Sequence, residues 1–282
     1  MALKNKIKSF FNLYKLFYAI IALALQITVN AEEKHYFQYD DNGKIISFDL
    51  VDPQFAPENC KEVVMKGFNI MRNTPKEMPQ YCGNTLKCTN CHICAGNTLG
   101  QKNGGISLVG VTNKYPRYFE RSKKTITLTE RIQNCFERSM NGKAPPPDDE
   151  GMQAIQYYLK WISTVVKGDK DAPWLGLKLI ESTHEPDLTQ GALIYAQECA
   201  SCHLPSGEGT EEAPPLWGPK SFNDGAGLSN LKPMASFVYF NMPYGNASLK
   251  EEEALDVAAF VLSHPRPKFK VKNAPVKQKA EQ

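Results

Sequence analysis

An all-α fold of two tandem domains, preceded by a short N-terminal extension, follows from three features of this 282-residue sequence. The pattern Cys-x-x-Cys-His occurs twice, at Cys88–His92 and again at Cys199–His203. Helix-periodic segments lie before and after each copy, while strand-like alternation is seen in FQYDDNGKIISFDLVD, ahead of both. A sulfur-bearing side chain follows each histidine at nearly the same distance. Cys135 stands 43 residues after His92, and Met242 stands 39 after His203. One plan used twice accounts for all three.

The elements follow in chain order. Lys4, Lys6, Lys8 and Lys15 precede an apolar run from Leu16 to Val29 that ends in Val29-Asn30-Ala31. That is the layout of a signal peptide (1–31) cleaved after Ala31, and 14 apolar residues are few for a membrane span. The expectation is an exported, periplasmic protein that meets the membrane only through the signal peptide during export. The whole chain carries a formal charge of +3, and the signal peptide's four lysines account for that excess. No nucleic-acid function is implied. Residues 32–58 form the extension, 59–167 the first domain, 168–186 a linker, 187–267 the second domain and 268–282 a Lys-rich tail. From Pro265 onward Arg266 and five lysines face Glu281 alone. A solvated, frayed terminus is expected there, with a docking patch for an acidic partner as the alternative.

Two cysteines at this spacing form thioethers to the vinyl groups of one haem, and the adjacent histidine then reaches the iron. A zinc site needs two more ligands per motif at ligand spacing, and none follows either copy. A thioredoxin-like site needs a βαβ setting that is missing here. Two covalently bound haem c groups are therefore expected, held by Cys88, Cys91 and His92 and by Cys199, Cys202 and His203.

The flanking helices fit that plan. A segment near Glu62 to Arg72 precedes the first motif, and DLTQGALIYAQECASCH runs as a helix into the second, with Gly191 admitting another helix closely. Met152, Ile155, Leu159 and Ile162 share one face of a helix near Asp149 to Val166. Ser248 and Glu251 read as a capping box for a helix reaching His264, with Leu255, Ala258, Ala259 and Leu262 as its core face. Two helices crossing over a haem, closed by a distal-ligand loop, is the cytochrome c plan.

The stretch RIQNCFERSMNG holds the unusual residue. Thr127 and Glu130 form a capping box that starts a helix near Leu128, and Asn141-Gly142 ends it. Arg131, Cys135 and Ser139 then lie along one face, bordered by Leu128, Ile132 and Phe136. Three readings of Cys135 compete: a buried free thiol, a disulfide with Cys60, Cys82 or Cys94, or a thiolate ligand to the first iron. Met140 offers a His/Met alternative for that iron. A thiolate lowers an iron's potential, whereas methionine with histidine raises it. Arg131, a fixed cation with a fork of donors, suits an oxyanion or, equally, a haem propionate. Ser139 adds one hydrogen-bonding group.

Several segments resemble the dihaem thiosulfate dehydrogenases, or TsdA-type enzymes, which interconvert two thiosulfates and tetrathionate. GNTLKCTNCH is similar to the family's first haem site and RIQNCFERSMNG to its distal-cysteine helix. PPLWGPKSFNDGAG, FVYFNMPYG and EALDVAAFVLSHPRP are similar to its second-haem region, so the likeness covers roughly residues 60–267. The resemblance implies His92 and Cys135 as ligands of an active-site haem, and His203 and Met242 for an electron-transfer haem. It implies Arg131 and Ser139 as substrate contacts, with Arg117 and Arg121 as weaker candidates. It also implies thiosulfate and tetrathionate as substrates and a small c-type cytochrome, or another periplasmic acceptor, as partner. Asn241 stands where some relatives carry lysine, which leaves Met242 as sole distal ligand. Cys60, Cys82 and Cys94 remain, and one disulfide plus one free thiol is the simplest arithmetic. A SoxA-like sulfur-oxidation cytochrome and a non-catalytic dihaem carrier are the rival readings.

Overall fold

The computed structural model describes residues 37–39, 45–100, 102–166 and 172–270. The expected signal peptide and residues 271–282 of the tail lie outside the described residues. The extension contributes an antiparallel hairpin, β1 (Phe37–Tyr39) with β2 (Ile45–Phe48). Helix α1 (Glu58–Arg72) opens the first domain, with Glu58 in its first turn and Arg72 in its last, both matched to the helix dipole. A second hairpin, β3 (Arg117–Phe119) with β4 (Lys124–Ile126), leads into α2 (Leu128–Arg138), and α3 (Glu150–Ile162) follows. Helix α4 (Leu188–Ile194) opens the second domain and continues through a π turn, Tyr195–Cys199, into Ala200–His203. Helices α5 (Leu231–Asn241) and α6 (Glu251–Ser263) complete it.

Each domain is closed by the same helix crossing. A Cβ on Gly67 of α1 would collide with the Ala154 carbonyl and the Tyr158 Cβ of α3. A Cβ on Gly191 of α4 would collide with the Asp256 carbonyl and the Phe260 Cβ of α6. Glycine is required at both positions for close approach, not for its backbone freedom. The duplication expected from the motifs is thus repeated in the packing.

Two cores result. Val64, Ile70, Phe136, Ile155, Leu159 and Ile162 centre the first, and Tyr195, Met234, Leu255, Val257 and Val261 the second. Full burial of each large side chain contributes about 1.5–3 kcal/mol before entropy is charged. The linker is divided between them, because Ala172 and Trp174 pack in the first core and Ile180 in the second. Leu86, just ahead of the first motif, crosses into the second core.

Some expectations are corrected. The last helix is capped by Lys250 and Glu253, not by Ser248 and Glu251; the Glu251 carboxylate instead accepts from the Ser182 amide at 3.0 Å. Of its expected core face, Leu255 and Ala258 are buried with Ala254, Val257 and Val261, whereas Ala259 and Leu262 are half-buried. The start of the tail is pinned rather than frayed: the Phe269 amide donates to Asp224 at 2.7 Å, and Lys268 pairs with Asp224 at 3.1 Å. His184 and His264 both make structural contacts. His184 bonds the buried Asp256 carboxylate at 2.8 Å, and His264 stacks on Trp217 at 4.1 Å. Cys60, Cys82 and Cys94 are all free thiols, so the expected disulfide is not formed. Cys82 instead packs its sulfur 3.8 Å from that of Met140.

Candidate functional site: two haem cradles

Both attachment motifs sit in short helical turns, which bring the two thiols and the histidine of each to one side. Cys88 and Cys91 bracket a 3₁₀ turn, and the Cys88 amide donates to Thr74 Oγ1 at 3.1 Å. Burial pushes both thiols up to about 12, with the Cys135 charge adding to the effect. They are held neutral by their setting.

The two histidines are oriented in the same way. His92 Nδ1 lies 2.8 Å from the Ile106 carbonyl, and His203 Nδ1 lies 2.8 Å from the Pro214 carbonyl. A carbonyl only accepts, so Nδ1 carries the proton and each Nε2 keeps its lone pair for a metal. Burial pushes His92 down to about 4 and lowers His203 as well, so both imidazoles are neutral, as ligation requires. Paired thiols beside an Nδ1-anchored neutral imidazole, found twice, are a donor set fitted to covalent haem and not to a bare ion. Among the described residues no cluster of histidine, cysteine and carboxylate has the geometry of a metal-ion site.

Helix α2 carries the residues expected on the distal side of the first cradle. Its capping box forms as expected: the Glu130 amide donates to Thr127 Oγ1 at 3.1 Å, and the Thr127 amide to Glu130 Oε2 at 2.8 Å. One turn apart, Arg131 Nη1 donates to Cys135 Sγ at 2.8 Å. The Cys135 charge is the largest influence holding the Arg131 proton, against the burial that opposes it. Fields from Cys135 reach Cys88 and Cys91, and that of Arg131 reaches Cys91 and His92. Arg131 and Cys135 of the predicted helix face are thus near enough to the first haem motif to act on it electrostatically. Met140 is buried in the first core and packs against Cys82. Ser139 caps α2, donating its amide to the Cys135 carbonyl at 2.9 Å, and its own carbonyl accepts from Asn84 at 2.9 Å.

Around this pair stands a group of arginines. Arg117, Arg121 and Arg131 lie 5.9, 5.4 and 6.0 Å from the Phe119 ring. Burial and the neighbouring Arg138 and Arg131 charges lower Arg121. Tyr115, which sequence reasoning missed, interacts with the Arg131 guanidinium and is raised by burial. Among the described residues, no ion pair joins any of these arginines to a carboxylate. An anion entering here meets donors already held in place.

The second domain secures this helix. Asn223 donates its side-chain amide to the Glu137 carbonyl at 2.9 Å and its backbone amide to the Arg138 carbonyl at 3.1 Å. The Gly225 carbonyl accepts from Arg121 at 2.5 Å and from Arg138 at 3.2 Å. The FNDGAG segment thus caps the C-terminus of α2 and fixes two of the arginines. A groove of about 530 Å³ along the same seam is lined by Glu137, Asn141, Asn223 and Phe269. It includes neither Cys135 nor Arg131, so it is not the reaction centre.

In the second cradle, Met242 caps α5, its amide donating to the Val238 carbonyl at 2.8 Å. It follows Asn241, which is fully buried. Cys202 is exposed, whereas Cys199 is half-buried.

Known proteins share this arrangement. Residues 81–167 match the SoxA/TsdA cytochrome c domain, and residues 188–265 match cytochrome c. The thiosulfate dehydrogenase of Allochromatium vinosum is 38% identical over 215 residues, covering 74% of this chain and 80% of that protein. This chain belongs to the thiosulfate dehydrogenase family. A second family member, from Thiomonas intermedia, is 41% identical over 213 residues, covering 73% of this chain and 67% of its own. The as-isolated thiosulfate dehydrogenase (TsdBA) of Marichromatium purpuratum superposes with a TM-score of 0.73 at 32% identity. That match covers 78% of this chain, which spans half the length of the other. Like the family, the chain holds two c-type haems, one in each cytochrome c domain.

Proposed function

We propose that this chain is a periplasmic dihaem thiosulfate dehydrogenase that also runs as a tetrathionate reductase. Two thiosulfate dianions lose one electron each, their outer sulfurs join, and tetrathionate leaves; no proton is exchanged. His92 and Cys135 would hold the first haem and His203 and Met242 the second, and the haems supply two one-electron acceptors when bound. The contact between Arg131 and Cys135 carries this reading, because it sets a fixed cation beside the sulfur proposed as distal ligand. Arg131 and Tyr115 orient the sulfonate end of the anion, Ser139 offers a further hydrogen bond, and Arg121 with Arg117 draws the anion inward. Clustered guanidiniums offset the repulsion between two dianions, which otherwise opposes their meeting.

The electron partner is read from charge. Residues 179–219, around the second attachment motif, hold seven carboxylates and no lysine or arginine. A small c-type cytochrome with a basic face around its own haem edge fits that surface. The localisation rests on the signal-peptide layout of residues 1–31.

The test is purified protein with thiosulfate alone and an artificial acceptor. Tetrathionate formed without any partner protein is the expected result. No turnover in either direction would overturn the proposal and leave a partner-dependent SoxA-like cytochrome or a plain carrier.

A further inference from the structure

Asn241 is a polar side chain with no exposed surface, at the last position of α5 and next to Met242. Its Nδ2 donates to the Phe237 carbonyl one turn back at 2.9 Å. Its Oδ1 accepts from the Gly105 amide of the other domain at 2.7 Å. The neighbouring backbone makes a second bridge, the Asn103 amide donating to the Phe240 carbonyl at 2.6 Å. At the rim of this contact, outside the strap's own bridges, Lys102 reaches the Ala247 carbonyl at 3.4 Å and lies 5.1 Å from the Tyr239 ring.

The 102–106 segment is not a free loop. Its Ile106 amide donates to the Cys91 carbonyl at 2.9 Å, and its Ile106 carbonyl accepts from His92 Nδ1 at 2.8 Å. Gly105 has a φ of +65°, and a Cβ there would come within 3 Å of the Ile93 amide and the Cys91 carbonyl. This segment is therefore packed onto the back of the first attachment motif. On one side it orients His92; on the other it receives Asn241.

We infer that Asn241 is a positioning residue that holds Met242 on the second iron by anchoring the methionine strap to the first domain's histidine segment. The two distal ligands are then secured crosswise: Asn223 of the second domain caps the Cys135 helix, and Gly105 of the first holds the Met242 strap. A buried asparagine that lost its partner across the seam would leave the Gly105 amide unsatisfied, so the bound arrangement is favoured over one with the strap lifted. By linkage, methionine ligation must stabilise the Gly105 bond as much as that bond stabilises ligation. The inference rests on the reading of Met242 as a ligand.

Three holoprotein variants test it: Asn241→Leu, which keeps the volume and removes both bonds, Met242→Gly, and Lys102→Ala as a control at the rim of the same contact. In Asn241→Leu the ratio of methionine-bound to methionine-free second haem should fall about tenfold, the worth of one buried hydrogen bond. The first haem's spectrum should stay as in the parent, and Lys102→Ala should change the ratio less than twofold. In Met242→Gly, hydrogen exchange at the Asn103 and Gly105 amides should speed up about tenfold, a readout independent of whether Asn241→Leu folds. An unchanged ratio and second-haem potential in Asn241→Leu, or unchanged exchange in Met242→Gly, would overturn the inference. If Met242→Gly left the second haem's spectrum untouched, the ligand reading itself would fail, and the inference with it.

Discussion

The two cradles share their proximal halves and differ in their distal ones. His92 and His203 are each oriented by an Nδ1 bond of 2.8 Å to a backbone carbonyl, and each domain closes on a glycine at the same helix crossing. The proposed distal ligands are set differently: Cys135 has Arg131 at 2.8 Å and further arginines around Phe119. In the second domain Met242, the ligand proposed for the second haem, stands at the end of α5, and carboxylates crowd residues 179–219 around that domain's attachment motif. The repeated scaffold supplies haem binding, and under the proposed function the distal difference supplies the division of labour. A thiolate and a cationic pocket suit an anionic substrate; a thioether and an acidic face suit electron exit.

Removing the difference should therefore cost the most. Cys135→Gly should keep both haems covalently attached, as read by pyridine haemochrome, while turnover falls by roughly 10²-fold or more. Near-normal turnover would place the chemistry elsewhere. Arg131→Ala should come next, with a loss of about 10–100-fold expressed mainly in KM; the parent's KM should rise with ionic strength, so the difference between the two proteins should shrink at high salt. A loss confined to kcat and blind to salt would argue against anion capture. Met242→Gly should shift the second haem's potential and leave the first haem's spectrum alone.

Changes to the shared scaffold should affect both halves alike. Gly67→Ala and Gly191→Ala should each destabilise their own domain by about 1–3 kcal/mol, measured by chemical denaturation, since the clash is with backbone. If only one did so, the crossings would not be equivalent. The smallest effect is expected at the seam. Asn223→Ala should cost about 1–2 kcal/mol and slow turnover modestly, by loosening the C-terminus of α2.

Much of this was legible in sequence because the signals are local. The two motifs, the Thr127–Glu130 box and the 128, 132, 136 periodicity all act over a few residues, and α2 forms where they place it. The i, i+4 spacing also put Arg131 against Cys135. Long-range partners left no such trace. Tyr115 reaches Arg131 across the β3–β4 hairpin, which the sequence reading did not anticipate. Asn223 stood in plain view within FNDGAG, yet nothing in its neighbours says that it caps a helix in the other domain. The Ser248–Glu251 box failed because Glu251 found a better use on the Ser182 amide. Cys60, Cys82 and Cys94 invited pairing by count alone, and the fold did not bring them together.

The central claim is that one scaffold carries two different distal donors. Near-infrared magnetic circular dichroism of the ferric holoprotein tests it most directly, since thiolate and thioether ligation give distinct bands. One histidine/thiolate haem that is lost in Cys135→Gly, together with one histidine/thioether haem that persists, is the predicted result. Two haems of the same ligation, or a spectrum unchanged by Cys135→Gly, would contradict the account.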